Sequence, residues 1–187
     1  MNHPWPSKNV FFTGFMASGK TRIGEQTAKM MGWHFVDTDR YIEEKEGRSI
    51  SSIFSEEGEG YFRQQELKAI QEICEKKYTI VSLGGGALTQ PEVLGLIQKH
   101  GILVRLDASI KVLSERIGRK NTRPLLADLS DEEREIKIAE MLKSREPYYQ
   151  QADFAIESDE HSSVESIVKK LKQLLIAWNY KKLQVKT

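Results

Sequence analysis

Short apolar runs alternate along this chain with longer segments in which apolar positions recur every three or four residues. The runs Asn9–Thr13, His34–Asp37, Thr79–Leu83, Ile102–Leu106 and Phe154–Glu157 are mostly apolar at consecutive positions. That pattern predicts parallel strands covered on both faces. Between them, Lys20–Met31, Gln64–Lys77, Pro91–His100, Ile110–Gly118 and Asp131–Ser144 read as helices. Pro91 opens its helix and Gly101 follows its end, the usual asymmetry of helix termini. Ser130 with Glu133, and Ser162 with Glu165, have capping-box spacing. After the second box, Val164, Ile167, Val168, Leu171, Leu174, Leu175 and Trp178 form one stripe at helical spacing, which predicts a core-facing helix with its lysines in solvent. Strand–helix alternation of this kind implies right-handed crossovers and an α/β fold, a parallel sheet with helices on both faces. No internal repeat interrupts it, and the tail Lys181–Thr187 reads as frayed.

Length and charge narrow the possibilities. At 187 residues the chain is expected to form a single domain over 1–187. Its 28 basic and 27 acidic residues leave a formal charge of +1. A general nucleic-acid binder would carry a basic excess, so no nucleic-acid partner is expected. The lone Cys74 rules out an intrachain disulfide and falls in a helical run, where a small buried hydrophobe is the simplest reading. Residues Met1–Lys8 contain two prolines and no apolar segment of a secretory signal. No run approaches the roughly 18 apolar residues of a membrane span. A cytoplasmic location without a membrane partner is the resulting expectation.

The sequence Gly14-Phe-Met-Ala17-Ser18-Gly19-Lys20-Thr21 matches G-x-x-x-x-G-K-[ST]. It follows a predicted strand and opens a predicted helix, as a phosphate-binding loop requires. Small residues let consecutive backbone N–H groups curl around a phosphate at the positive end of the helix. Lys20 then reaches the β- and γ-phosphates, and the Thr21 hydroxyl ligates Mg²⁺. Arg22 continues the same turn. ATP is the expected nucleotide, since no Asn-Lys-x-Asp guanine-reading sequence is present. A small kinase fits the length.

Candidates for the acceptor side are more ambiguous one by one. Asp37-Thr38-Asp39 ends the second predicted strand, where ligands gather in open α/β sheets. Asp37 is the better candidate for Mg²⁺ and Asp39 for the acceptor hydroxyl, the alternative being that the pair caps a helix over Tyr41–Glu46. Arg63 and Glu66 stand three apart: a surface ion pair, or an arginine held to fork a substrate carboxylate. Gly84-Gly85-Gly86 follows a buried strand, as a turn or as a place of close ligand approach. Arg116, Arg119, Lys120 and Arg123 make Glu115–Leu126 a basic loop, either solvated or a lid that closes an arginine over the transferring phosphoryl. Arg145 reads on its own as a charge at a helix C-terminus.

Together these motifs resemble shikimate kinases over about Val10–Leu175. The resemblance adds Gly47-Arg48-Ser49-Ile50 with Ile53-Phe54, Phe62-Arg63-x-x-Glu66, Leu83-Gly-Gly-Gly-Ala87 and Arg123-Pro-Leu-Leu126. It implies ATP-dependent phosphorylation of the 3-hydroxyl of shikimate, in chorismate and aromatic amino-acid biosynthesis. It also implies the nucleoside monophosphate kinase-like fold, a three-layer P-loop architecture with a five-stranded parallel sheet in order 2-3-1-4-5, acting as a monomer. By resemblance, Asp39, Arg63, Gly85 and Arg145, with Gly84 and Gly86 beside them, contact shikimate, the two arginines holding its carboxylate. Lys20 and Arg123 stabilise phosphoryl charge, Thr21 and Asp37 hold Mg²⁺, and Arg116 lies over the adenine. The substrate region then spans about 37–66, the lid about 115–127 and the adenine loop about 157–163. The family often carries Pro in that last loop where this chain has Ser163, and Trp33 stands where smaller residues are common. A gluconate kinase would share the two carboxylate-binding arginines, and a non-catalytic nucleotide-binding module would share the loop.

Overall fold

The computed structural model describes residues 8–119, 126, 129–159 and 162–184. The chain runs β1 (Asn9–Thr13), α1 (Lys20–Met31), β2 (His34–Asp37), α2 (Thr38–Glu46), α3 (Ile50–Glu75), β3 (Thr79–Ser82), a 3₁₀ turn (Ala87–Thr89), α4 (Pro91–His100), β4 (Gly101–Asp107), α5 (Ile110–Gly118), α6 (Asp131–Tyr149), β5 (Phe154–Glu157) and α7 (Val164–Gln184). All five strands pair in parallel in the order β2-β3-β1-β4-β5. Val10 of β1 faces Ile80 on one side and Ile102 on the other, so the strand that feeds the phosphate-loop sequence is central. Connections leave β1 toward one edge and β3 toward the other. The carboxyl ends of β1 and β3 therefore flank the point where the winding reverses, the usual ligand crevice of open α/β sheets.

One core packs α1 and α7 on the face bearing Val10, Phe12, Val104 and Leu106, with Ile167, Val168, Leu171 and Leu175 of the α7 stripe. The other packs α3, α4 and the end of α6 against Phe11, Val81 and Leu103. Buried Cys74 belongs to this second core.

Four sequence expectations are corrected. The strands are not equally covered: β1 and β3 are buried throughout, whereas β2 and β5 are partly exposed because they form the sheet edges. Helical backbone begins at Ile50 rather than Gln64 and breaks at Gly58, whose φ of 80° lies outside the helical region. Ser49 caps this helix by accepting from the Ser52 N–H at 3.2 Å. Helix α6 runs past Ser144 to Tyr149 and carries Pro147 inside it. Ser163, not Ser162, caps α7: its Oγ accepts from the Ser166 N–H at 3.1 Å, while Ser162 donates to Asp159. The Ser130–Glu133 capping box is present as expected. Among the described residues no helix is long and apolar enough to cross a membrane.

Candidate functional site

The loop after β1 is shaped by backbone that ordinary residues avoid. Gly14 has φ +136°, and a Cβ there would lie 2.4 Å from the Leu106 carbonyl oxygen of the neighbouring strand. Any side chain at position 14 would push the loop off the sheet. Ala17 adopts φ 61°, uncommon for a residue with a Cβ. The Ser18 N–H donates to the Phe15 carbonyl at 3.2 Å, and the Ser18 hydroxyl is buried with no hydrogen-bond partner among the described residues. Gly19 takes the left-handed N-cap position, so α1 starts at Lys20 with its N-terminal amides turned toward the loop. The Lys20 ammonium folds back over the loop and donates to the Gly14 and Phe15 carbonyls, both at 2.9 Å. Arg22 is exposed on the first turn of α1.

Thr21 lies across from the end of β2. Its hydroxyl donates to Asp37 Oδ2 at 2.8 Å. The other Asp37 oxygen accepts from the backbone N–H groups of Asp39 at 3.2 Å and Arg40 at 3.5 Å, which caps α2. The capping alternative is therefore observed for Asp37, and the helix it caps begins at Thr38 rather than Tyr41. Thr21 and Asp37 present hard oxygen donors at a helix N-terminus. Mg²⁺ prefers such donors, completing its shell with water and phosphate oxygens. Among the described residues no cluster of three or more His, Cys, Asp or Glu could form an all-protein metal cage.

The three glycines after β3 are surrounded by the acceptor-side candidates. The Gly84 N–H donates to Thr38 Oγ1 at 2.8 Å, which ties this turn to the start of α2. A Cβ on Gly84 would stand 2.6 Å from Asp39 Oδ1 and 3.0 Å from Glu66 Oε1. One on Gly86 would stand 2.7 Å from Arg63 Nη2, and one on Gly85 would touch Arg145 Nη1 at 3.4 Å. Residues from α2, α3 and α6 therefore converge on one bare stretch of backbone.

Glu66 is 1% exposed and anchors this group. Its Oε2 accepts from Arg63 Nη1 at 2.6 Å and from Gln90 at 2.8 Å. Burial pushes the Glu66 carboxyl above its ordinary pKa; Arg63 opposes that shift and Asp39 adds to it. Burial works against the Arg63 charge too, but Glu66 and Glu59 outweigh it and raise its pKa. Glu59 Oε1 accepts from Nε and Nη2 of Arg63 at 3.2 and 3.1 Å. Arg145 stacks its guanidinium over the Phe15 ring, 5.6 Å from the centroid. Its Nη1 is buried with no hydrogen-bond partner among the described residues.

On the far side of the loop, Arg116 of α5 donates to the Ala17 carbonyl at 3.3 Å and the Asp159 carbonyl at 3.4 Å. It bridges the phosphate-loop sequence and the segment after β5. Arg123 lies outside the described residues, as do the rest of 120–125 and residue 127 of the expected lid and residues 160 and 161 of the expected adenine loop. Sequence reasoning missed Gln90, Thr38 and Glu59. Glu59 had a signal, since it stands four residues before Arg63 in an acidic run. Gln90 had none, because its partner is 24 residues away.

Known proteins are similar to this chain over most of its length. The sequence model of the family described as shikimate kinase matches residues 16–176. The shikimate kinase of Chlorobium chlorochromatii (strain CaD3) is 42% identical over 174 residues, which cover 89% of this chain and 92% of that protein. Among solved structures, a shikimate kinase from Bacteroides thetaiotaomicron superposes with a TM-score of 0.86 at 32% identity, covering 91% of this chain and 99% of that one. The Acinetobacter baumannii shikimate kinase in complex with shikimate gives a TM-score of 0.83 at 33% identity, covering 91% and 94%.

Proposed function

Because this chain belongs to the shikimate kinase family, we propose that it transfers the γ-phosphoryl group of ATP to the 3-hydroxyl of shikimate, yielding shikimate 3-phosphate and ADP for aromatic biosynthesis. The observation that carries the reading is the convergence of Asp39, Arg63 and Arg145 on Gly84–Gly86 at the crevice beside the loop of Gly14–Lys20. Two guanidiniums and a carboxylate around bare backbone suit an acid that also presents ring hydroxyls.

In this reading Arg63 and Arg145 fork the shikimate carboxylate, a planar bidentate match that lysine would not provide. Glu66 and Gln90 hold Arg63 in place. Asp39 accepts from the ring hydroxyls and takes the proton of the attacking one. Gly84, Gly85 and Gly86 admit the ring against the backbone. The loop amides of Ala17, Ser18 and Gly19, with Lys20, Thr21 and Arg22, receive the triphosphate, and Arg116 covers the adenine. Lys20 exchanges the Gly14 and Phe15 carbonyls for phosphate oxygens, and Arg123 from the lid joins it on the transferring group. Mg²⁺, held by Thr21 and Asp37 with water, offsets phosphate charge when bound. Phosphoryl transfer asks the protein mainly for positioning and charge stabilisation, and these residues supply both. The reading includes a single domain acting as a monomer in the cytoplasm.

A coupled ADP-release assay with shikimate, gluconate or no acceptor tests it. Release that depends on shikimate is expected. Equal or greater release with gluconate, or release indifferent to either acceptor, would overturn it.

A further inference from the structure

A charged residue lies in the strand next to the phosphate loop and is not explained by the proposed site. Strand β4 reads Gly101-Ile-Leu-Val-Arg105-Leu-Asp107, and its register sets Arg105 beside Thr13, the last residue before the loop. Side chains alternate along a strand, so Arg105 shares a face with Leu103, in the core that also contains Tyr149 at the end of α6. Arg105 is only 18% exposed. A charge in that position must be compensated, and it is. Its Nη1 pairs with Glu146 Oε1 at 2.8 Å, its Nε pairs with Asp107, and its guanidinium lies 5.4 Å from the centre of the Tyr149 ring.

These contacts meet α6 where its own backbone is weakest. Pro147 sits inside the helix and has no N–H to give to the carbonyl four residues earlier. The turn with the missing bond carries Arg145. Among the described residues no hydrogen bond orients Arg145 Nη1; the guanidinium lies over the Phe15 ring, and a Cβ on Gly85 would touch Nη1 at 3.4 Å. A cavity of about 340 Å³ lies elsewhere, between α1 and α7, but one of about 190 Å³ adjoins this region, lined by Phe15, Arg105, Asp107, Leu142, Glu146 and Tyr149. Arg145 thus leaves a helix turn that has space beneath it and a gap in its ladder. The ion pair from Glu146 to β4 ties that turn directly to the sheet.

We propose that Arg105 is a positioning residue for substrate recognition: through Glu146 and Tyr149 it fixes the α6 turn that aims Arg145 at the shikimate carboxylate. The inference rests on the reading that Arg145 binds that carboxylate. Arg105 touches no reacting group. Its loss lets the turn move and spreads Arg145 over several orientations, which weakens shikimate binding and leaves nucleotide binding intact.

Steady-state kinetics of the full chain, with shikimate and ATP varied separately, test this in Arg105→Gln, Arg105→Lys, Glu146→Gln, Arg145→Lys and the double variant Arg105→Gln/Arg145→Lys. Arg105→Gln is expected to raise the KM for shikimate about tenfold, the scale of couplings carried through packed neighbours, with the KM for ATP unchanged. Arg105→Lys should recover most of the loss by keeping the charge opposite Glu146. In the Arg145→Lys background the Arg105→Gln effect should largely vanish, because the two act through one contact. Glu146→Gln breaks the same link from its exposed side and should reproduce the KM change even if Arg105→Gln folds poorly. An unchanged shikimate KM in Glu146→Gln, equal changes for both substrates, or full additivity with Arg145→Lys overturns the proposal. An unaltered shikimate KM in Arg145→Lys itself instead overturns the carboxylate reading beneath it.

Discussion

Replacing Gly84 by alanine separates what the glycine turn does for the fold from what it does for the site. The backbone there is not in the left-handed region, so alanine meets no conformational penalty. Removing a glycine from a turn even narrows the unfolded ensemble, worth about 0.4–1 kcal/mol of stability where the new side chain fits. The new Cβ would, however, lie 2.6 Å from Asp39 Oδ1 and 3.0 Å from Glu66 Oε1, where ordinary contact begins at 3.4 Å. Asp39 must therefore retreat by about 0.8 Å and Glu66 by about 0.4 Å, against a misplacement scale of roughly a hundredfold per ångström in a positioned reaction. Asp39 sits at the first turn of a nine-residue helix, and buried Glu66, held by Arg63 and Gln90, resists. Turnover should fall much further than stability. We expect kcat/KM for shikimate to drop about 50- to 100-fold, equivalent to about 2.3–2.7 kcal/mol of lost transition-state stabilisation. ATP binding should be unchanged, since the phosphate loop lies on another strand. Coupled ADP release gives the first quantity, nucleotide titration the second, and thermal unfolding the third. A Gly84→Ala protein with near-normal kcat/KM would show that Asp39 is not positioned against this turn during the reaction. A parallel collapse of Tm and activity would show that the turn is merely structural.

Other consequences concern single groups. Lys20→Ala should lower kcat by about a hundred- to a thousandfold, as loss of one aimed charge on the transferring group does, with little change in the KM for shikimate; unchanged turnover would remove Lys20 from that role. Burial raises the Glu66 pKa above the ordinary 4.5, so kcat/KM for shikimate should fall as pH drops through that raised value and Arg63 loses its anchor. Glu66→Gln should lack that acid limb, and an identical pH profile in the two proteins would refute the assignment. The same shift has a stability sign: ionising Glu66 costs the fold nothing below its ordinary pKa and the full amount above the raised one. Urea midpoints of Glu66→Gln should therefore gain on the parent protein as pH rises from the ordinary carboxyl pKa through the raised one. Burial also pushes the Cys74 thiol up to about 11. At pH 8 roughly one thiol in a thousand would be ionised, so a thiol reagent should label the native protein slowly and the urea-unfolded protein rapidly; fast native labelling would contradict the burial.

What was legible in the sequence was mostly local. The phosphate-loop sequence needs its glycines within six residues, and the strand before it and helix after it carry periodicity in their own side chains. Arg63 and Glu66 are neighbours on one helix, so their pairing needed no knowledge of the fold. The start of α3 was hidden because Gly58 and Gly60 lower helix propensity, although Ser49 had already capped the helix and Ile53 is buried against Ile42 and Phe62. The extent of α6 was hidden by Pro147, which normally ends a helix; here the Arg105–Glu146 pair and the buried Tyr149 hold the last turn against β4. Neither contact has a sequence signature, since Arg105 and Glu146 are 41 residues apart. The same holds for Thr38 with Gly84 and Glu66 with Gln90, which join elements only once the sheet has formed.

A nearly neutral chain that binds two anions must choose which of its cations to spend internally. Several guanidiniums here are matched to carboxylates. Arg48 meets Glu46, Glu56 and Glu57; Arg105 meets Asp107 and Glu146; Arg134 meets Asp131. The groups proposed to meet ligands have neutral partners as well. Lys20 donates to two loop carbonyls, Arg116 to the Ala17 and Asp159 carbonyls, and Arg145 lies over an aromatic ring. A carbonyl oxygen gives up a cation to a phosphate or carboxylate without leaving an uncompensated charge behind, whereas a buried carboxylate cannot. Arg63 stands between the two classes. Glu66 is buried and fixes one edge of its guanidinium, while the exposed Glu59 occupies Nε and Nη2 and can return to water. On the proposed reading, the incoming carboxylate needs to displace only the exposed partner, and the buried one keeps the fork aimed throughout the exchange.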